Sequence, residues 1–336
     1  MAVDLSTTWL GLPLEHPLLT GASPLVDSLD TVRALEDAGA SAITMHSLFE
    51  EQLVAEQMAA HRHFDGPAES FAEAQSWFPS TGDFKLGPDA YLEQIRKVKA
   101  AVKVPVIGSL NGSTPGGWIR YAKLIEQAGA SALELNMHSL AADPAHDAYA
   151  IEKQQLDIVR EVKKSVKLPV AVKLSPFYSS LPAFVKQLEA EGVAGLVLFN
   201  RLYQPDIDVE ALTLDRVLHL SDRSELLLRL RWLAILSPRT KLSLAASGGV
   251  HSPVDAVKAM MAGAGAVQVV SELLTKGPSR LKELVTGLEN WLDEHEYESV
   301  TQLVGSMNLA RAPDPSGYER ANYVKLLQSW HGTGAR

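Results

Sequence analysis

The sequence predicts a closed (β/α)8 barrel, and three observations point to it. The segment Ala38–Leu48 (AGASAITMHSL) returns almost intact as Ala128–Leu140 (AGASALELNMHSL), one structural unit used twice. Each copy runs from a glycine at a helix end, through a short apolar strand, to a polar strand exit. The same grammar recurs at Gly192 before AGLVLF and at Gly263 before AGAVQVV. Glycine takes the left-handed conformation that stops a helix at little cost. Third, strands and helix-period stretches alternate with no second cluster of strands, which favours one closed barrel. An open doubly wound sheet is the alternative. Against it, the first strand lacks a G-x-G-x-x-G turn, GASPL not being one.

Eight strands are expected, at roughly 18–22, 41–45, 105–110, 131–136, 169–174, 194–200, 241–246 and 265–271. They are near-continuous Val, Ile, Leu and Ala runs, as befits strands buried on both faces. Two follow proline, Pro105 before VIGSL and Pro169 before VAVKL. The ring ends the preceding helix and leaves the buried run with all its donors. Helix-period stretches between them include Ser28–Ala38, Asp89–Val102, Pro115–Ala128, Ile151–Val166 and Pro253–Ala262. Three excursions break the spacing: Phe49–Phe84, Leu140–Ala150 and Arg201–Ser224, after the second, fourth and sixth strands. All follow strands, and so belong to the face where barrels do their chemistry. Long loops there are usually lids or binding loops. Beyond Gly287 the tail reads as a closing helix with a short helical extension. The expected organisation is one domain over 1–336, with a core over about 5–290 and an extension over 291–336.

The 336 residues are 46% hydrophobic and 21% charged, an ordinary globular composition. The net charge of -9, with no basic run, argues against nucleic acid. There are no cysteines, which excludes disulfides, cysteine-ligated clusters or zinc, and a cysteine base. No apolar stretch approaches the ~18 residues of a membrane span, and the first residues lack the basic and apolar regions of a signal peptide. The expectation is a cytoplasmic enzyme handling a small molecule.

Chemistry-bearing residues sit at the strand exits. The seventh strand leaves through Ser247-Gly248-Gly249 and the eighth through Ser271-Glu272. Backbone amides after these two strands form the barrel's recurring phosphate site; the bland alternative is glycines that merely permit tight turns. Lys173 lies in an apolar strand, where lysine is rarely buried without a partner. Near the mouth it would face a phosphate, a carbonyl or an electron-rich ring; otherwise it reaches solvent. Asn136 and Asn200 end the fourth and sixth strands, each offering a donor and an acceptor to an amide-like ring edge. Each alone is also a plausible loop cap. His61 and His63 form a His-x-His pair without further metal ligands, so a solvated loop is the better reading.

LNMHS, AVKLSP, LVLFN, AASGGV and VQVVSEL, in this order and spacing, resemble the dihydroorotate dehydrogenase family. Upstream, TTWLGLPLEHPLLTGASP is similar to its N-terminal hairpin and first strand. The soluble class and a divergent dihydroorotate dehydrogenase-like branch are the nearest in pattern. The resemblance implies a barrel with FMN at its mouth, no membrane attachment, and a homodimer by the family's habit. It implies oxidation of dihydroorotate to orotate, in pyrimidine biosynthesis. Carried over by position, the base falls on Ser139, and Lys173 stands beside the pyrimidine end of the flavin. Asn136 and Asn200 touch substrate, Asn136 flavin too. Ser247, Gly248, Gly249, Ser271 and Glu272 fall at the phosphate end, and Ala22 and Ser23 at the first-strand flavin contact.

The departures are as informative. Where the family reads Thr-Lys-Ser, this chain has Thr44-Met45-His46; where it reads Ser/Cys-Pro-Asn, Ser139-Leu140-Ala141; where Asn-Ser-Met-Gly, Pro79-Ser80-Thr81-Gly82. One cation and two asparagines of the substrate clamp are gone. Hydrogen bonds to charged groups contribute roughly 1.5–3 kcal/mol each. Uncompensated loss of three therefore weakens binding by about a thousandfold or more. His46, His138, Lys85 or Arg201 are the candidates to compensate, Arg201 by forking a carboxylate. Serine is a poor base alone, and His138 or His46 would take its proton onward. Three other functions stay open: a flavin barrel with a different substrate, a non-catalytic flavin binder, and a flavin-free aldolase-like barrel with Lys173 as Schiff-base lysine. The electron acceptor is not legible.

Overall fold

The computed structural model describes residues 3–49, 88–112, 115–137, 140–201, 204–215 and 217–329. A short antiparallel hairpin comes first, β1 (Thr7–Trp9) and β2 (Leu12–Leu14), paired Thr7 to Leu14. Six parallel strands follow: β3 (Leu18–Thr20), β4 (Ile43–Phe49), β5 (Val106–Asn111), β6 (Ala132–Asn136), β7 (Val170–Leu174) and β8 (Gly195–Leu198). A second hairpin, β9 (Asp206–Asp208) and β10 (Thr213–Asp215), interrupts them before β11 (Ser243–Ser247) and β12 (Ala266–Val269). The eight parallel strands neighbour one another in chain order, and β12 closes on β3 through Val267–Leu18 and Val269–Thr20. The barrel is closed, and the doubly wound alternative falls.

Helices wrap the outside: α1 (Leu29–Asp37), α2 (Pro88–Ala101), α3 (Pro115–Gln127), α4 (Ala148–Ser165), α5 (Leu181–Ala190), α6 (Leu226–Leu236), α7 (Pro253–Ala262), α8 (Ser271–Lys276) and α9 (Arg280–Glu294). The extension consists of α10 (Val300–Leu303) and α11 (Ala321–Gln328). Each long helix turns one apolar stripe to the sheet, such as Leu156, Val159 and Val162 of α4. α7 starts immediately beyond the β11 exit under a capping box: the Ser252 hydroxyl and the Asp255 carboxylate satisfy each other's backbone N–H.

The N-terminal hairpin stoppers the barrel floor. Trp9, Leu10 and Leu14 pack with Leu19, Ile107, Val197 and five inward alanines, Ala42, Ala132, Ala171, Ala245 and Ala266. Small residues there leave the space that the hairpin fills. Gly195 shows how tight the fit is, since a Cβ on it would come within 2.7 Å of Leu10 Cδ2 and of the Ser243 carbonyl. His16, 6% exposed, ties the floor together: its Nδ1 accepts from Leu18 N (3.2 Å), and its Nε2 lies 2.5 Å from Gly39 O.

Several elements differ from expectation. β4 runs on to Phe49 because a bulge sits between Thr44 and Ser47, where three steps oppose two from Ile107 to Ser109. The last strand stops at Val269, and Ser271 opens α8 instead. The excursion after the sixth strand contains the β9–β10 hairpin, whose Ile207 and Leu214 are cross-strand partners. Its alternation of polar and apolar residues, DID and TLD, is a period-two signal that the loop reading passed over.

Candidate active site

The inner wall changes character from floor to mouth. Above the alanine floor lie Ser109, Glu134, Lys173, Ser247 and Gln268, each at most 7% exposed. Three of these, Glu134, Lys173 and Gln268, form a ring. Lys173 Nζ donates to Glu134 Oε1 (3.3 Å) and to Gln268 Oε1 (3.1 Å), and Gln268 Nε2 donates to Glu134 Oε2 (2.6 Å). The lysine expected to need a partner has two. An ammonium engaged with a carboxylate is a poor nucleophile, which disfavours the Schiff-base reading.

Lys173 and Gln268 form the base of a cavity of about 310 Å3 at the barrel mouth. It collects Ala22, Ser23, Asn200, Arg201, Ser247, Gly248, Gly249 and Ser271, nine expected site residues with Lys173. Gly248 and Gly249 have φ of +93° and +81°. A Cβ at Gly249 would sit 2.4 Å from Leu226 N, and one at Gly248 2.9 Å from Arg229 Nη2. The turn is therefore open only to glycine. Ser23 Oγ, in a residue 5% exposed on the cavity wall, has no hydrogen-bond partner among the described residues.

Glu272 departs from expectation. It is not among the cavity-lining residues; its carboxylate meets Arg280 Nε (2.7 Å), Lys276 Nζ (2.8 Å) and His251 Nδ1 (3.1 Å). Burial pushes its carboxyl up, but hydrogen bonds from Lys276, Arg280 and His251 outweigh it and hold it below the usual carboxylate range. A carboxylate beside a phosphate would repel it, so this turn away keeps the cradle open to anions.

Asn136 also lies off that cavity. Its Nδ2 donates to Ser47 Oγ (2.9 Å) and Ser109 Oγ (2.8 Å), and the two hydroxyls are 2.8 Å apart. The backbone of Ser109 is in turn locked by the Tyr91 hydroxyl, a phenol that burial pushes well above its ordinary value. The bulge in β4 brings Ser47 into this triangle. His46, one residue earlier, instead places its Nδ1 3.0 Å from Asp27 Oδ1, short of good hydrogen-bond alignment, and its ring edge-on to Tyr91 at 5.0 Å. Burial drives its pKa down, and Asp27 opposes that shift. Ser139, His138, Lys85, His61, His63 and Pro79–Gly82 lie outside the described residues.

Asn200 and Arg201 line a second cavity too, of about 350 Å3, with Phe177, His219, Glu225 and Arg229. Arg201 Nη2 is 3.2 Å from Glu225 Oε1, so its guanidinium already has a carboxylate neighbour. Arg229, 5% exposed, was missed by sequence reasoning: its Nε donates to Ser247 O (2.9 Å) and supports the glycine turn from behind. Ser221 was missed as well. Its hydroxyl donates to Ser271 Oγ (2.8 Å) and accepts from Gly249 N (3.3 Å), joining the two halves of the cradle. An arginine inside LLLRLRWLAIL was the available signal for Arg229; Ser221 had none beyond its place in a long excursion.

Residues 70–292 match the family model described as dihydroorotate dehydrogenase. The chain belongs to the dihydroorotate dehydrogenase family. Among its relatives is the catalytic subunit of dihydroorotate dehydrogenase B (NAD(+)) of Thermoplasma acidophilum, 27% identical over 310 residues, covering 90% of this chain and 98% of the relative. The same subunit from Thermoplasma volcanium is 28% identical over 312 residues, with the same coverage. A putative dihydroorotate dehydrogenase A (fumarate) of Aeropyrum pernix is 34% identical over 214 residues, 60% of this chain and 67% of that one. Members of the family similar to this chain thus carry two different electron acceptors in their names.

Proposed function

We propose that this chain is an FMN-dependent oxidoreductase that removes a proton and a hydride from adjacent carbons of dihydroorotate, giving orotate. The observation that carries the reading is the convergence of Ser23, Lys173, Asn200, Ser247, Gly248, Gly249 and Ser271 on one cavity. These residues fit the cofactor. The orphaned Ser23 hydroxyl awaits a partner, the glycine turn excludes any Cβ, and the Glu272 carboxylate is turned aside. Gly248, Gly249, Ser271 and Ser221 would hold the phosphate, Ser23 and Lys173 the ring. When bound, FMN supplies the hydride acceptor.

The remaining work falls to side chains of this chain. Lys173 would stabilise negative charge at the ring's pyrimidine end. Asn200 is placed to orient a flat polar substrate across the cavity, with Arg201 next to it for a carboxylate. Asn136, its amide sense fixed by the Ser47 and Ser109 hydroxyls, would touch substrate and ring from beside that cavity. Ser139 would take the proton. Its relatives' names also support an assembly in which a further subunit passes electrons to NAD+, or direct use of fumarate. The test is anaerobic addition of dihydroorotate to the FMN-loaded protein. Bleaching of the flavin band at millimolar substrate is the expected result, and an unbleached band rejects this substrate.

A further inference from the structure

We propose that Glu134 is a positioning residue that sets the charge Lys173 presents to the cofactor ring; this rests on the FMN reading above. An ammonium has three N–H donors. Two of Lys173's are spent on Glu134 Oε1 and Gln268 Oε1, which leaves one on a side chain that lines the cavity. Glu134 itself is 1% exposed and does not line that cavity. Its other oxygen is taken by Gln268 Nε2 at 2.6 Å. The three side chains close a ring of hydrogen bonds from β6, β7 and β12, so the ammonium cannot swing without breaking one of them.

The arrangement places a carboxylate directly behind the cation, on the side away from the cavity. A ring bound against Lys173 therefore meets a positive charge partly cancelled from the rear. Packing alone gives no reason for a carboxylate at the centre of a barrel, where an ion's desolvation is costly and a neutral side chain of similar size fills the space. The adjoining inward residues below it are alanines, Ala132 and Ala171. Charge is what Glu134 adds.

The experiment uses the full-length, FMN-loaded protein and two readouts, the reduction potential of bound FMN and its affinity for sulfite. Sulfite adds to oxidised flavin and leaves negative charge at the pyrimidine end, so its affinity reads the positive field there. Glu134→Gln keeps the shape and the acceptor for Lys173 but removes the negative charge. It should raise the potential and tighten sulfite binding about tenfold, the scale of one charge acting through a partly screened interior. Lys173→Met should move both readouts the other way. Glu134→Asp, which draws the carboxylate back by one methylene, should shift them in the direction of Glu134→Gln but less, and serves if that variant does not fold. Unchanged potential and sulfite affinity in a folded, FMN-loaded Glu134 variant overturn the proposal alone. A wild-type protein that takes up no FMN overturns the cofactor reading and this proposal with it.

Discussion

Glu134 and Gln268 meet at 2.6 Å from strands four places apart in the eight-strand ring, so their hydrogen bond spans the barrel from wall to wall. Gln268→Ala removes the donor to one carboxylate oxygen and an acceptor of Lys173. A buried charged group left short of a partner costs about 1–3 kcal/mol or more. The unfolding free energy should fall by that amount, read as a lower urea midpoint at an unchanged slope in equilibrium unfolding followed by tryptophan fluorescence.

The two glycines of the cradle should differ in sensitivity. Gly249→Ala drives a Cβ to 2.4 Å from backbone N of Leu226, which cannot yield without moving the start of α6. Gly248→Ala meets the tip of the Arg229 side chain at 2.9 Å, a softer obstacle. Both are strained by their positive φ, at about 1–3 kcal/mol. FMN titration should show the larger loss of affinity for Gly249→Ala; equal losses would contradict the cradle geometry.

Acid should weaken the fold through His16. Its Nδ1 must stay unprotonated to accept from Leu18 N, and burial lowers its pKa below the ordinary histidine value, with the Gly39 carbonyl and Glu15 opposing. The unfolded chain takes up a proton near pH ~6.5 while the folded one still refuses it. The contribution is thus complete above ~6.5 and is lost as pH falls through that value toward the lowered folded pKa. His16→Gln should flatten this limb of a stability–pH curve measured between pH 7.5 and 5.

Ser139→Ala should lower the rate of flavin reduction by dihydroorotate by about a hundredfold or more, the usual contribution of a positioned base, with FMN content unchanged. Ser139→Cys, with a thiol of pKa ~8.5, should retain turnover that rises toward alkaline pH. Stopped-flow reduction of the loaded variants checks both.

Much of this was legible in the residues because the barrel writes itself locally: a glycine stop, a buried run, a polar exit. Lys173 announced itself as a cation in an apolar strand, and the Gly248–Gly249 pair as a turn. What stayed hidden is what depends on distance in space. Nothing in the chain says that residue 268 faces residue 134, that Arg229 props up a turn from behind, or that Glu272 turns from its neighbour Ser271 toward Arg280. The doubled Met-His-Ser-Leu was equally deceptive. Its first copy is bent by a bulge, so Ser47 rather than His46 joins Asn136.

The hairpin closes the floor of the barrel among the described residues. Trp9, Leu10 and Leu14, seated among the floor alanines, put an apolar layer beneath Glu134, Lys173 and Gln268. Lys173 and Gln268 face the mouth cavity, where the cofactor would sit. A cofactor bound there would lie over Lys173 and cover the trio from the side opposite the hairpin.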